Sequence, residues 1–192
     1  MDFELHNPTA IDRLHRKNIP NGSKVFVCST FELFHPKVPK YWRKDIFSVI
    51  ECNPKNTFQI LTKFPQNIDR PMPDNVWLGC TITGDDDQWN KGFNLYLKQA
   101  KVKFISLEPL FKPIEIIDEL WLFDWIIIGR LTGYGNKQNP EKAWIQEIVD
   151  ECEASCIPIF LKDNLKEIWG EPLIQEYPNI AEESIYQQNI NS

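Results

Sequence analysis

The 192-residue sequence has no apolar run near the roughly 18 to 20 residues that span a bilayer, and its amino terminus lacks a signal-peptide pattern. A soluble, cytoplasmic protein without a membrane partner is the expectation. Excess positive charge is missing too: 21 Lys and Arg face 27 Asp and Glu, giving a formal net charge of −6. No overall basic field exists to gather nucleic acid, which the charge does not indicate as a partner. Local basic clusters at Arg13, Arg16 and Lys17, and at Lys37, Lys40, Arg43 and Lys44, read as solvated helix or loop faces. Five cysteines are an odd number without the spacing of a secreted scaffold, which fits reduced thiols.

Several motifs of known chemistry are absent as well. No glycine-rich dinucleotide fingerprint follows any apolar run, and no nucleophile-elbow pattern singles out a serine. His6, His15 and His35 have no ligand spacing. Cys152 and Cys156 stand one helical turn apart, but a zinc or iron–sulfur site usually takes more donors, so no metal is expected from these cysteines. The run Asp85 to Asp87 reads as a helix start favoured by the macrodipole.

What is present is apolar material for one substantial core: 42% of the residues are hydrophobic. One domain is expected over 1–170, followed by a polar extension over 171–192. Six short runs, "KVFVCS", "TFQILTK", "VWLGCTI", "VKFISLE", "DWIIIGR" and "IPIFLKD", are continuously apolar, the mark of parallel strands covered on both faces. Helical spacing fills Pro39 to Cys52, Asp86 to Ala100, and the stretch where Asn139 caps and Pro140 opens the first turn. The stretches after Lys63 and Pro109 are short and proline-broken. Strand alternating with helix gives a doubly wound sheet or a barrel. Without the dinucleotide fingerprint, the choice is an α/β fold: a partial (β/α) barrel of about six parallel strands. An eight-stranded barrel takes about 250 residues.

The strands end alike, in polar residues. Ser29, Thr30 and Glu32 follow the first, Lys63 the second, Glu108 the fourth, Arg130 the fifth, and Lys162, Asp163 and Asn164 the sixth. In (β/α) proteins such tips gather at one mouth, so these nine residues are the expected ligand-binding set. Lys63 and Lys162 suit a carboxylate or phosphate; Glu108 and Asp163 suit an amine or ribose hydroxyl. A small-molecule ligand follows, but the residues fix no reaction and no catalytic group.

"KVFVCSTFELFHPKVPKYW", "TFQILTKFP", "NVWLGCTI", "KFISLEPL", "DWIIIG" and "WIQEIVDECEASCIPIFLKDNL" together resemble a radical-SAM-like family of unknown function, first annotated from bacteriophage gene products. The resemblance covers about residues 20–166 and implies a (β/α) barrel of the radical-SAM/TIM kind. It also implies a Cys-x-x-x-Cys-x-x-Cys motif near the amino terminus, holding a 4Fe-4S cluster that binds S-adenosylmethionine. It carries over Lys63, Glu108 and Lys162 to Asn164 without assigning them roles. This chain departs twice. It has no cysteine triad, as if it began after the segment that would carry the first strand. Where the family shows Gly-Gly-Glu-Ser-Gly, this chain reads Gly129-Arg130-Leu131-Thr132-Gly133, with Leu131 in the carboxylate's place. The expectation is therefore a truncated or degenerate relative that holds no cofactor alone and runs no radical chemistry alone, with a companion chain supplying the missing segment. The alternatives are a non-catalytic scaffold and a cluster-independent barrel enzyme acting on a phosphorylated or nucleotide substrate.

Overall fold

The computed structural model describes residues 19–29, 31–133 and 138–179. Six strands, β1 (Lys24–Val27), β2 (Thr57–Thr62), β3 (Val76–Thr81), β4 (Val102–Leu107), β5 (Trp125–Ile128) and β6 (Ile159–Leu161), form one sheet in chain order. Every neighbouring pair is parallel. The sheet curls into a half-barrel. Parallel neighbours need a crossover, and helices α1 (Lys40–Glu51), α2 (Gln88–Tyr96) and α3 (Lys142–Ala154) supply three of the five. Proline-rich segments with short 3₁₀ turns at Pro65–Asn67 and Ile117–Leu122 supply the other two, and a four-residue α4 (Lys166–Trp169) follows β6.

The helices form where apolar residues recur at helical spacing. Trp42, Ile46, Val49 and Ile50 make the buried stripe of α1; Ile145, Ile148, Val149 and Cys152 make that of α3. These stripes meet alternate strand residues, among them Phe58, Ile60, Leu78, Cys80, Ile105, Leu107, Ile126 and Ile128, in the main core. The intervening residues face the other way. Trp77, Val102, Phe104 and Trp125 form a second cluster, with Leu61, Ile127 and Phe160 packed against it. The concave face is thus filled by aromatic side chains where a closed barrel would place opposing strands. Trp125 is central, with ring centroids 5.8 Å from Trp77, 5.6 Å from Phe104 and 5.4 Å from Tyr177.

Two expectations need adjusting. Helix α3 starts at Lys142 with Glu141 as its cap residue, so Asn139 does not cap it; the Asn139 amide oxygen instead accepts from Arg130. Cys156 lies beyond α3 in a left-handed turn, φ 56°, so it and Cys152 do not share a helical face. Residues 174–176 of the polar stretch run antiparallel to β6, where Leu161 N–H donates to the Ile174 carbonyl and Glu176 N–H to that of Ile159. Among the described residues no helix is long and apolar enough to cross a membrane.

Candidate functional site

Because all six strands point one way, their carboxyl ends share one rim. Side chains along a strand alternate between faces, so each rim residue falls on a side that the sequence fixes. Lys63 follows Leu61, Glu108 follows Ser106 and Phe104, and Lys162 follows Phe160; all three belong to the concave face. Arg130 follows Ile126 and Ile128 and belongs to the helix side, as its contacts bear out.

On the concave side the Lys162 ammonium pairs with the Glu108 carboxylate, their side chains 42% and 26% exposed. A Cβ on Gly129 would lie 2.8 Å from Glu108 Oε1, so the glycine makes room for that carboxylate at the end of β5. An ion pair this open contributes at most about 1 kcal/mol to stability. Thr81 and Ser106 stand opposite each other on β3 and β4, 5% and 2% exposed. Two residues before Thr81 on β3, a Cβ on Gly79 would meet the Phe104 ring of β4 at 2.3 Å, and on β1 Phe26 lies 49% exposed. The Lys63 side chain is exposed, with no partner for its ammonium among the described residues. The concave side of the rim thus carries the Glu108–Lys162 pair and the Thr81 and Ser106 hydroxyls next to the aromatic cluster.

Glu32, Arg130, Asn164 and Asp163 make hydrogen bonds between loops. The Glu32 carboxylate accepts from Phe34 N–H at 3.2 Å, Thr62 Oγ1 at 2.6 Å and Lys63 N–H at 2.8 Å, tying the loop after β1 to the end of β2. Arg130 donates through Nε to the Asn164 carbonyl and through a terminal nitrogen to Asn139, while Asn164 Nδ2 donates back to the Arg130 carbonyl at 3.0 Å. Asp163 accepts from Gln175 Nε2 at 3.3 Å. Ser29 is exposed, and Thr30 lies outside the described residues. Among the described residues no hydrogen bond or ion pair joins Glu32 and Lys63 to Glu108 and Lys162. Sequence reasoning missed Ser106, although its place two residues before Glu108 signals the shared face. It also missed Lys91, which reaches from α2 to the Thr81 carbonyl at 3.1 Å and pairs with Asp86; no local pattern marks that reach.

The cysteines are dispersed through the described residues: Cys80 and Cys152 are buried, Cys28 is half-buried, and Cys52 and Cys156 are exposed. Burial, with Glu32 adding, pushes the Cys28 thiol up to about 12. Burial does the same to Cys80, also to about 12, against the opposing pull of Lys91. Among the described residues no three His, Cys, Asp or Glu side chains are grouped to hold a metal.

A groove of about 930 Å³ opens at the other end of the sheet, lined by Trp121, Asp124, Cys156, Glu176 and Tyr177 among others. Its Asp124 and Glu176 carboxylates already accept from the Lys103 and Ile159 amides. In (β/α) folds the chemistry belongs to the opposite rim.

Fold and rim together define an α/β half-barrel with polar groups at the carboxyl ends of its strands. The chain belongs to the family described as protein of unknown function (DUF5131), which matches residues 3–182. No curated protein and no solved structure matches it.

Proposed function

We propose that the chain is a radical-SAM-like half-barrel that binds a small ligand at the concave mouth and runs no radical chemistry alone. One observation carries this reading: Lys63, Thr81, Ser106, Glu108 and Lys162 belong to one face at the strand ends, where Thr81 stands opposite Ser106 and Lys162 pairs with Glu108. Two hydroxyls, two ammonium groups and a carboxylate on one face supply both donors and acceptors for a ligand's polar groups. The resemblance makes S-adenosylmethionine the first ligand to try, with its amino and carboxylate groups matched to Glu108 and to Lys63 or Lys162.

Calorimetry tests this. S-adenosylmethionine is expected to bind the native chain and to lose about tenfold or more in affinity with Glu108→Ala or with Thr81→Val, which removes only the hydroxyl. Heat that is unchanged in both variants would sink the mouth. Iron and sulfide reconstitution is expected to leave the chain without the broad absorbance near roughly 400 nm of a thiolate-bound cluster; stoichiometric iron with that band would overturn the cofactor reading.

A second reading, a partner-binding protein, is favoured by the edge of β1. Strand β1 has one neighbour, β2, among the described residues, and an open edge invites pairing with another chain. A companion chain supplying cluster and strand is the partner this reading calls for.

A further inference from the structure

Helix α2 has two faces put to opposite use. Gln88, Gly92 and Leu95, three and four residues apart, are buried on the inner face, where Gln88 accepts from Glu115 N–H and a Cβ on Gly92 would touch Ile116. On the outer face Trp89, Phe93, Tyr96 and Leu97 recur at the same spacing and are 51%, 60%, 43% and 58% exposed. Scattered exposed apolar residues are ordinary, but a contiguous stripe of three aromatic rings and a leucine on one short helix marks a contact surface.

Charge at the two ends of the stripe selects the partner. Helix α2 leaves the carboxyl end of β3 and returns to the amino end of β4. Asp85 and Asp87 therefore stand at one end of the stripe, and Lys98, Lys101 and Lys103 at the other. Asp86 is turned inward to Lys91, and Asp87 caps the helix through Asn90 N–H. Asp85 pairs with Lys112 at the surface. The Lys103 ammonium sits 5.0 Å from the centroid of Tyr96, extending the basic end over the stripe. Lys101 is exposed and forms no ion pair among the described residues.

A two-fold axis through Phe93 makes the stripe complementary to itself, as an isologous contact requires. Run antiparallel, Trp89 of each copy meets Leu97 of the other, and Phe93 packs on Phe93. The acidic end of each helix then lies beside the basic end of its mate, Asp85 facing Lys101. A parallel pairing would set acid against acid and base against base, which opposes association.

The geometry points to an antiparallel contact between α2 and the α2 of a second copy of this chain. The stripe is small for a permanent interface, so the pair is weak and depends on concentration. It uses none of the residues at the mouth.

Sedimentation velocity of the full chain, from about 1 to about 300 µM, tests the contact in the range where weak pairs form. The sedimentation coefficient is expected to rise with concentration. Phe93→Glu, which puts two carboxylates on the axis, is expected to stay monomeric while melting at the native temperature. Asp85→Lys and Lys101→Glu are each expected to weaken association about tenfold, and the double variant to restore it. A native chain that is monomeric at every concentration overturns the proposal, even if the stripe then binds vesicles or another protein. Association that survives Phe93→Glu overturns it as well. Charge variants without effect overturn the antiparallel register.

Discussion

Glu32 shows how far a residue's role can lie from its appearance in the sequence. As an acid shortly past a strand it looked like a ligand for the mouth, yet its carboxylate accepts three hydrogen bonds that span the ends of β1 and β2. Besides the neighbouring Phe34, the partners are Thr62 and Lys63, some thirty positions away, which no local pattern connects to it. Glu108 and Lys162 were more legible, since strand periodicity alone assigns both to one face; their direct pairing was not, because it depends on the curl of the sheet. If Glu32 braces the fold, Glu32→Ala should leave the buried Thr62 hydroxyl and two amides short of partners. The expected loss is about 2 kcal/mol of stability, read from the midpoint of urea unfolding. Glu108→Ala should cost far less, its ion pair being half open to water. Equal losses in the two variants would contradict this division between a bracing carboxylate and one half open to water.

At the scale of elements, the strands were legible because a sheet carrying helices on one face and aromatic rings on the other leaves few positions for polar residues. Continuous apolar runs marked all six, with ends overestimated by one or two residues. The start of α3 was not legible: Asn139 and Pro140 have the chemistry of a helix opening, but Arg130, nine residues earlier, claims the Asn139 side chain. Nor could periodicity explain a glycine in β3. Gly79 is there because the Phe104 ring of the neighbouring strand fills the space a Cβ would need, at 2.3 Å. Gly79→Ala should push that ring into Trp125, 5.6 Å away, and destabilise the protein by about 1 to 3 kcal/mol despite alanine's better conformational entropy. Combining it with Phe104→Leu should recover part of the loss, since the smaller side chain clears the space. Thermal melting of the two single variants and the double variant gives the coupling; strict additivity would rule out the clash.

For the whole molecule, the half-barrel distributes three thiols through its interior: Cys28 at the end of β1, Cys80 in β3 and Cys152 in α3. Each is pushed from an ordinary 9.0 up to about 12, chiefly by burial. Carboxylates reinforce the shift: Glu32 beside Cys28 and Cys80, Asp86 beside Cys80, and Glu151 and Glu176 beside Cys152, with Lys91 opposing it at Cys80. The unfolded chain releases these protons near 9 while the folded chain keeps them. Between about 9 and about 12 the native state therefore binds more protons, and stability falls as pH rises; below 9 the contribution is complete. The shifts at Lys112 and Lys166 have the same sign, each raised by a hydrogen-bonded carboxylate, but both lysines are fully exposed and add little. The urea midpoint should stay flat from about pH 7 to about pH 8.5 and then decline steadily. Cys80→Ala, with its cavity cost subtracted at neutral pH, should make that decline shallower. An equal slope in the native chain and Cys80→Ala would mean that the core thiols ionise as freely in the fold as in water, and the main core would then have to admit solvent between the sheet and its helices.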